Sequence, residues 1–160
     1  MSITVAVPCY NGEAFIGRTI ECVLNQTLPA DRIIVIEDGS TDRTAEIISR
    51  YPVQTIAHGQ NKGLSAGRNT AISNTHTKFL VFVDADAFAD PGMLAALIDT
   101  FERTNADGVG GRGIEAVQDN IYDRWRGLHA SQGYGDYRLN QVEHLFGLCM
   151  AYRCEALRAI

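Results

Sequence analysis

Asp84 and Asp86 stand one residue apart in Val83-Asp84-Ala85-Asp86, directly after an apolar run. Two carboxylates so spaced at the end of a buried strand would project into the space where a ligand sits. Hard divalent cations such as Mn²⁺ or Mg²⁺ take oxygen ligands, and need only one or two protein carboxylates when phosphate supplies the rest. Ordinary solvated acidic loops carry the same spacing, so the pair alone leaves both readings open. An EF-hand loop is excluded, because Phe88 and Ala89 stand where an oxygen ligand and the invariant glycine belong.

Asp38 lies in Glu37-Asp38-Gly39-Ser40-Thr41-Asp42. Its carboxylate could accept an N–H from a nucleotide base edge, as on the N3–H of uracil. The plainer reading is a helix-capping cluster, with Ser40, Thr41 or Asp42 as the cap. Arg68 sits in Asn61-Lys62-Gly63-Leu64-Ser65-Ala66-Gly67-Arg68-Asn69, one turn into an expected helix. It could pair with a carboxylate or reach a ribose or diphosphate. Neither a Walker A loop nor a Gly-x-Gly-x-x-Gly after the first strand is present, which argues against an ordinary dinucleotide-binding domain. His129 and His144 could act as bases, but packing or surface roles are the favoured reading, and neither is assigned. Cys9, Cys22, Cys149 and Cys154 form no Cys-x-x-Cys pair, so zinc is not expected and buried, reduced thiols are.

These residues need a frame. Continuous apolar runs predict strands over 3–7 (ending at Pro8), 33–36, 53–57 and 79–83. Helical spacing predicts a helix through Phe15, Ile16, Ile20, Val23 and Leu24 with Asn11 as N-cap, and further helices over 41–49 and 64–73. Pro91 is expected to open another, through Met93, Leu94, Leu97, Ile98 and Phe101. Strands buried on both faces and separated by helices mean an α/β fold, a mainly parallel sheet flanked by helices. Ligands bind such sheets beyond the carboxyl ends of the strands, where Tyr10, Asp38, Asp84 and Asp86 all fall. After Asn105 the chain turns glycine-rich (Gly108, Gly110, Gly111, Gly113) and then aromatic, with Tyr122, Trp125, Tyr134, Tyr137, Phe146 and Tyr152. Core packing is the default for these rings, and a sugar-stacking face the sharper alternative. Residues 153–160 read as the start of a helix.

Composition bounds the rest. The chain has 160 residues, 46% hydrophobic and 21% charged, with net charge −5. These are ordinary globular values that exclude collagen, coiled coil and low-complexity disorder. One domain of this size buries roughly 70% of its unfolded surface. The acidic balance argues against a nucleic-acid or membrane-surface partner, which would require clustered Lys and Arg. No apolar stretch approaches membrane-spanning length and no basic leader precedes the first strand, so the expectation is a cytoplasmic chain without a membrane segment.

Val7-Pro8-Cys9-Tyr10-Asn11, the Glu37–Asp42 cluster, the Asn61–Asn69 segment and Val83-Asp84-Ala85-Asp86, in this order, resemble the signature of family 2 glycosyltransferases, which adopt the GT-A fold. The resemblance is strong to about residue 92 and weaker beyond it, where the segment from Phe146 to Arg153 is similar to the strand preceding the acceptor-side half. It implies a nucleotide-sugar donor, a UDP-sugar in most relatives, and inversion at the anomeric carbon. By the family pattern Pro8 and Tyr10 line the uracil pocket, Asp38 binds the uracil edge, Arg68 contacts the nucleotide and Asp84 the ribose. Asp86 holds the Mn²⁺ or Mg²⁺ that bridges the diphosphate, and Glu13 faces the same pocket.

The resemblance further implies a single domain over 1–160. Residues 1–104 are expected to form its nucleotide-sugar-binding half, and 105–160 the cut-short start of an acceptor-side half. The acidic base that would deprotonate the acceptor is expected beyond Ile160, and neither Glu143 nor Glu155 is given that role. The acceptor, whether polysaccharide, lipid or other glycan, stays open. Many relatives carry later membrane segments, and such a segment would put a longer parent protein at the cytoplasmic face of a membrane. The rival reading is a non-catalytic nucleotide-sugar-binding module. A third class, a phosphate-handling flavodoxin-like domain such as a receiver domain, is disfavoured by Cys9-Tyr10-Asn11-Gly12, where it needs paired acids.

Overall fold

The computed structural model describes residues 1–114, 145 and 147–159. Within them β1 (Ile3–Cys9), β2 (Arg32–Glu37), β3 (Gln54–Ala57), β4 (Phe79–Val83), β5 (Gly108–Gly110) and β6 (Cys149–Arg153) form one sheet in the order β3-β2-β1-β4-β6-β5. The first four strands are mutually parallel, and β6 runs antiparallel to both β4 and β5. The helices are α1 (Ile16–Leu24), α2 (Thr44–Ile48), α3 (Leu64–Ser73), α4 (Met93–Arg103) and α5 (Cys154–Arg158).

Both central strands are buried along their whole length, as their uninterrupted apolar sequence requires. On one face Ile16, Ile20 and Val23 of α1, Ile48 of α2, and Leu94, Leu97, Ile98 and Phe101 of α4 pack in a single cluster. The i, i+4, i+7 spacing in α1 and the i, i+3, i+4, i+7 spacing in α4 turn these side chains to the sheet. On the other face Ala71 of α3 and Cys154 of α5 meet Ala6, Ile34, Ile36, Leu80 and Phe82. Strand β3, with three of its four residues exposed, closes one edge. No helix among the described residues is long and apolar enough to cross a membrane.

The sheet opens where the site must lie. The Cys9 carbonyl accepts the Asp38 N–H at 2.9 Å. Successive strand residues turn their backbone edges to opposite neighbours, so Pro8 faces β4, where it has no N–H to donate. Pairing of β1 with β4 ends at Ala6–Phe82, while pairing with β2 continues to Cys9–Glu37. Strand β1 therefore parts from β4 at its carboxyl end, at the point where the chain order reverses across the sheet.

The predicted bounds of α3 and β4 are those found. Four expectations need correction. Strand β1 runs through Pro8 to Cys9, because its β2 side keeps pairing. Asn11 does not cap α1, which begins at Ile16; it adopts φ +48° and accepts the Thr41 N–H instead. Helix α2 starts at Thr44 rather than Thr41, since 40–43 bind the β1–α1 loop. Pro91 precedes α4, whose first residue is Met93. Tyr122, Trp125, His129, Tyr134, Tyr137, Glu143, His144 and Phe146 lie outside the described residues. The thiols of Cys9, Cys22, Cys149 and Cys154 are free, and all but Cys22 are buried.

Candidate functional site

Three loops meet beyond the carboxyl ends of β1, β2 and β3. The Asn11 and Glu13 N–H groups donate to Ser40 Oγ (3.0 Å) and Asp42 Oδ2 (3.1 Å), and that of Gly12 to Thr44 Oγ1 (2.8 Å). In return the Thr41 N–H donates to Asn11 Oδ1 at 2.8 Å. Asp42 also accepts the Thr44 N–H at 2.9 Å, but the N-cap position of α2 falls to Arg43, which makes no side-chain cap, so none of Ser40, Thr41 and Asp42 is the expected cap. Gly39 has φ +72°, and a Cβ there would lie 2.5 Å from the Gln60 carbonyl carbon. Only glycine permits that approach of the β2–α2 and β3–α3 loops.

Asp38 ties the same two loops together. It is 5% exposed. Its Oδ1 accepts from His58 Nδ1 (2.6 Å) and the Lys62 N–H (3.0 Å), and its Oδ2 from the Gly63 N–H (2.8 Å). Burial raises the carboxyl, but the His58 hydrogen bond and then the two amides outweigh it, holding the group below its ordinary value.

Across the opening, Asp84 follows β4 in a turn where its carbonyl accepts the Ala87 N–H. Its carboxylate lies 3.6 Å from Arg68 Nη2 of α3, an ion pair about one-third solvent-exposed. Burial raises the Asp84 carboxyl most, Arg68 opposes this, and the negative charge of Asp86 raises it further. Asp86 itself is exposed. Arg68 Nε is the one buried side-chain nitrogen or oxygen lacking a hydrogen-bond partner among the described residues. A group of that kind calls for an explanation, such as a ligand atom that completes it. Gly147 closes on this pair: a Cβ there would stand 3.0 Å from Arg68 Nη2. Cys9, beneath Gly12, is no nucleophile, because burial and then Asp42 and Glu37 push its thiol up to about 12.

Asp38, Asp84, Asp86 and the half-exposed Tyr10 thus gather at the carboxyl ends of the strands, as expected, and Arg68 of α3 joins them through Asp84. Two expected residues sit differently. Pro8 is buried in β1 beneath Gly67 of α3, whose Cβ position lies 3.4 Å from the Pro8 Cβ. Glu13 is engaged by Arg43, accepting its N–H at 3.1 Å and approaching its Nε at 3.4 Å. Sequence reasoning missed His58 and Gly147. The signal for His58 was a histidine one residue past a predicted strand; Gly147 carried none. Glu155 is exposed in the first turn of α5.

Among the described residues no three His, Cys, Asp or Glu side chains cluster closely enough to hold a metal ion. A cation at Asp86 would therefore need further oxygens from a ligand. Two carboxylates that repel each other, one partly buried and one free at the surface, fit such a cation.

The class follows from this geometry: a GT-A fold, mostly parallel, with its candidate site at the strand ends. The family model described as "Glycosyl transferase family 2" matches residues 4–160. The chain belongs to glycosyl transferase family 2. It is 36% identical over 112 residues to the "Uncharacterized glycosyltransferase EpsJ" of Bacillus subtilis, covering 68% of this chain and 33% of that protein. The chain thus spans about a third of that relative's length. In fold it matches the mannosyltransferase PcManGT of Pyrobaculum calidifontis, solved with GDP-Man and Mn²⁺, at TM-score 0.77 and 21% identity over 98% of this chain and 46% of that one. It also matches glucosyl-3-phosphoglycerate synthase of Mycobacterium tuberculosis, solved with Mn²⁺, UDP and phosphoglyceric acid, at TM-score 0.72 and 20% identity over 99% and 58%.

Proposed function

We propose that this chain is the donor-binding part of an inverting glycosyltransferase that takes a UDP-sugar and a divalent metal ion. The observation that carries the reading is the opening between β1 and β4, with Asp38 on one side, Asp84 and Asp86 on the other, and an Arg68 Nε that has no partner among the described residues. The solved fold relatives described above, bound to GDP-Man or UDP with Mn²⁺, support the donor class.

Each residue then has a task. Tyr10, 48% exposed, offers its ring face to the base. Asp38 accepts the base N3–H, with Pro8 forming the floor by parting the strands. Asp84 accepts a ribose hydroxyl, and Arg68 turns its guanidinium to the nucleotide. Asp86 would hold Mn²⁺ or Mg²⁺, which offsets charge on the diphosphate. In the transfer the acceptor hydroxyl attacks the anomeric carbon opposite the diphosphate. The bond to the diphosphate breaks with both electrons leaving on it, and the hydroxyl proton passes to a base. Glu13, held by Arg43, contributes to the rim of the loop rather than to this chemistry.

Calorimetric titration of UDP tests the reading. Binding with Mn²⁺ should weaken at least tenfold in EDTA, and Asp86→Ala should abolish the difference between the two conditions. Equal enhancement by Mn²⁺ in that variant would remove the metal from Asp86, and no binding in either condition would overturn the donor site.

A further inference from the structure

We infer that His58 is a positioning residue for base recognition, acting through Asp38; this rests on the reading of Asp38 given above. His58 lies one residue past β3, is 8% exposed, and is unused by any step so far. Its Nδ1 is 2.6 Å from Asp38 Oδ1 and its Nε2 is 2.9 Å from Thr70 Oγ1 of α3. An ionised carboxylate only accepts, so Nδ1 carries the proton; in the neutral ring Nε2 then accepts from the Thr70 hydroxyl. The chain Thr70–His58–Asp38 fixes one tautomer and couples α3 to the ends of β3 and β2.

The consequence is selectivity. Each carboxylate oxygen takes about two hydrogen bonds. Asp38 Oδ1 already has two, from His58 and Lys62, and Oδ2 has one, from Gly63. One acceptor position remains, on Oδ2. It matches a base that offers a single imino N–H, as uracil does, and it repels a base that offers a lone pair there, as cytosine does. His58 is the only side-chain donor to Asp38 among the described residues; the two amides come from one loop. Without His58 the carboxylate can turn and present a doubly open oxygen, and the distinction between the two bases blurs.

The experiment titrates UDP and CDP, each with Mn²⁺, into the unmodified chain and its variants. The unmodified chain should favour UDP, and Asp38→Ala should erase the preference. His58→Phe, similar in volume but without the donor, should cut the UDP-to-CDP ratio roughly tenfold, the magnitude of one hydrogen bond to a charged group. His58→Asn, whose amide can stand in for Nδ1–H, should restore most of it, and Thr70→Val should lower it by a smaller factor. A His58→Phe protein that loses affinity equally for both nucleotides overturns the inference, since a purely structural role moves the two together. Should that variant not fold, the ¹⁵N spectrum of the unmodified protein decides: an Nδ1–H tautomer at His58 supports the inference and an Nε2–H tautomer overturns it. Failure of the underlying reading looks different, because then Asp38→Ala leaves the ratio unmoved or the unmodified chain shows no preference, and the role of His58 falls with it.

Discussion

Asp38 and Asp84 follow the two strands that flank β1, and their carboxyls are pulled in opposite directions. Asp38 is buried, yet its hydrogen bonds hold its folded pKa below the unfolded value of about 3.9. Its contribution to stability is therefore complete above that value and lost as the pH falls through the folded pKa. Asp84 is raised by burial and by Asp86 despite Arg68, so ionising it opposes folding once the pH rises past the unfolded value. At neutral pH one aspartate stabilises the fold and the other strains it. Asp38→Asn should lower stability by about 1–3 kcal/mol at pH 7, because an amide –NH₂ then faces backbone or imidazole donors. It should also flatten the acid limb of a Tm-against-pH curve. Asp84→Asn should leave the Tm at pH 7 unchanged or raised while weakening nucleotide binding. A marked fall in Tm for Asp84→Asn would assign Asp84 a structural role instead. Such a division is expected where a site keeps charges for a ligand rather than for the fold.

Elements hold these carboxylates through two glycines with different requirements. Gly39 has φ +72° and abuts the Gln60–Asn61 backbone, so Gly39→Ala combines a left-handed conformation with a collision. A loss of about 1–3 kcal/mol is expected from the conformation alone. Gly67 sits inside α3, where an added Cβ meets Pro8 at an ordinary contact distance of 3.4 Å. Gly67→Ala should be neutral or stabilising by up to about 1 kcal/mol, the helix-propensity gain. Denaturant melts of the two variants read both outcomes, and destabilisation by Gly67→Ala would show that α3 is pressed closer to β1 than this geometry allows. The same elements show what the sequence made legible. Apolar continuity located β1, β2 and β4, and helical spacing located α3, because burial alone decides such segments. The start of α1 was misread because Asn11 has the chemistry of a cap but is engaged by a loop from β2, a contact 30 residues away in sequence. Asp38, Asp84 and Asp86 were legible as acids at strand ends. His58 was not, since its meaning depends on partners at Asp38 and Thr70 that no local pattern reveals.

The two ends of the sheet are built for different purposes. At the amino end of β4, Arg153 donates at 2.9 Å to the Phe101 carbonyl in the last turn of α4 and to the Ala106 carbonyl just beyond it. Arg32 and Arg158 do the same for the Asn74 and Thr75 carbonyls at the end of α3. A cavity of about 370 Å³ lies at this end, lined by Met1, Lys78, Phe79, Phe101, Glu102 and Arg153. It is larger than the cavity of about 330 Å³ beside α1. Size does not make it the proposed nucleotide site, because open α/β sheets bind ligands at the carboxyl ends of their strands, and the arginine there is already engaged by backbone. The carboxyl end instead carries Asp84 and Arg68 in a loose pair and a buried nitrogen lacking a partner among the described residues. Amide hydrogen exchange distinguishes the two ends. Adding UDP with Mn²⁺ should slow exchange in the segments 10–13, 38–44, 58–64 and 84–87, since ligand suppresses the local openings of the loops it bridges. Exchange around Lys78, Glu102 and Arg153 should be unchanged. Protection confined to that second set would move the nucleotide to the cavity at the amino end and remove Asp38 and Asp86 from its recognition.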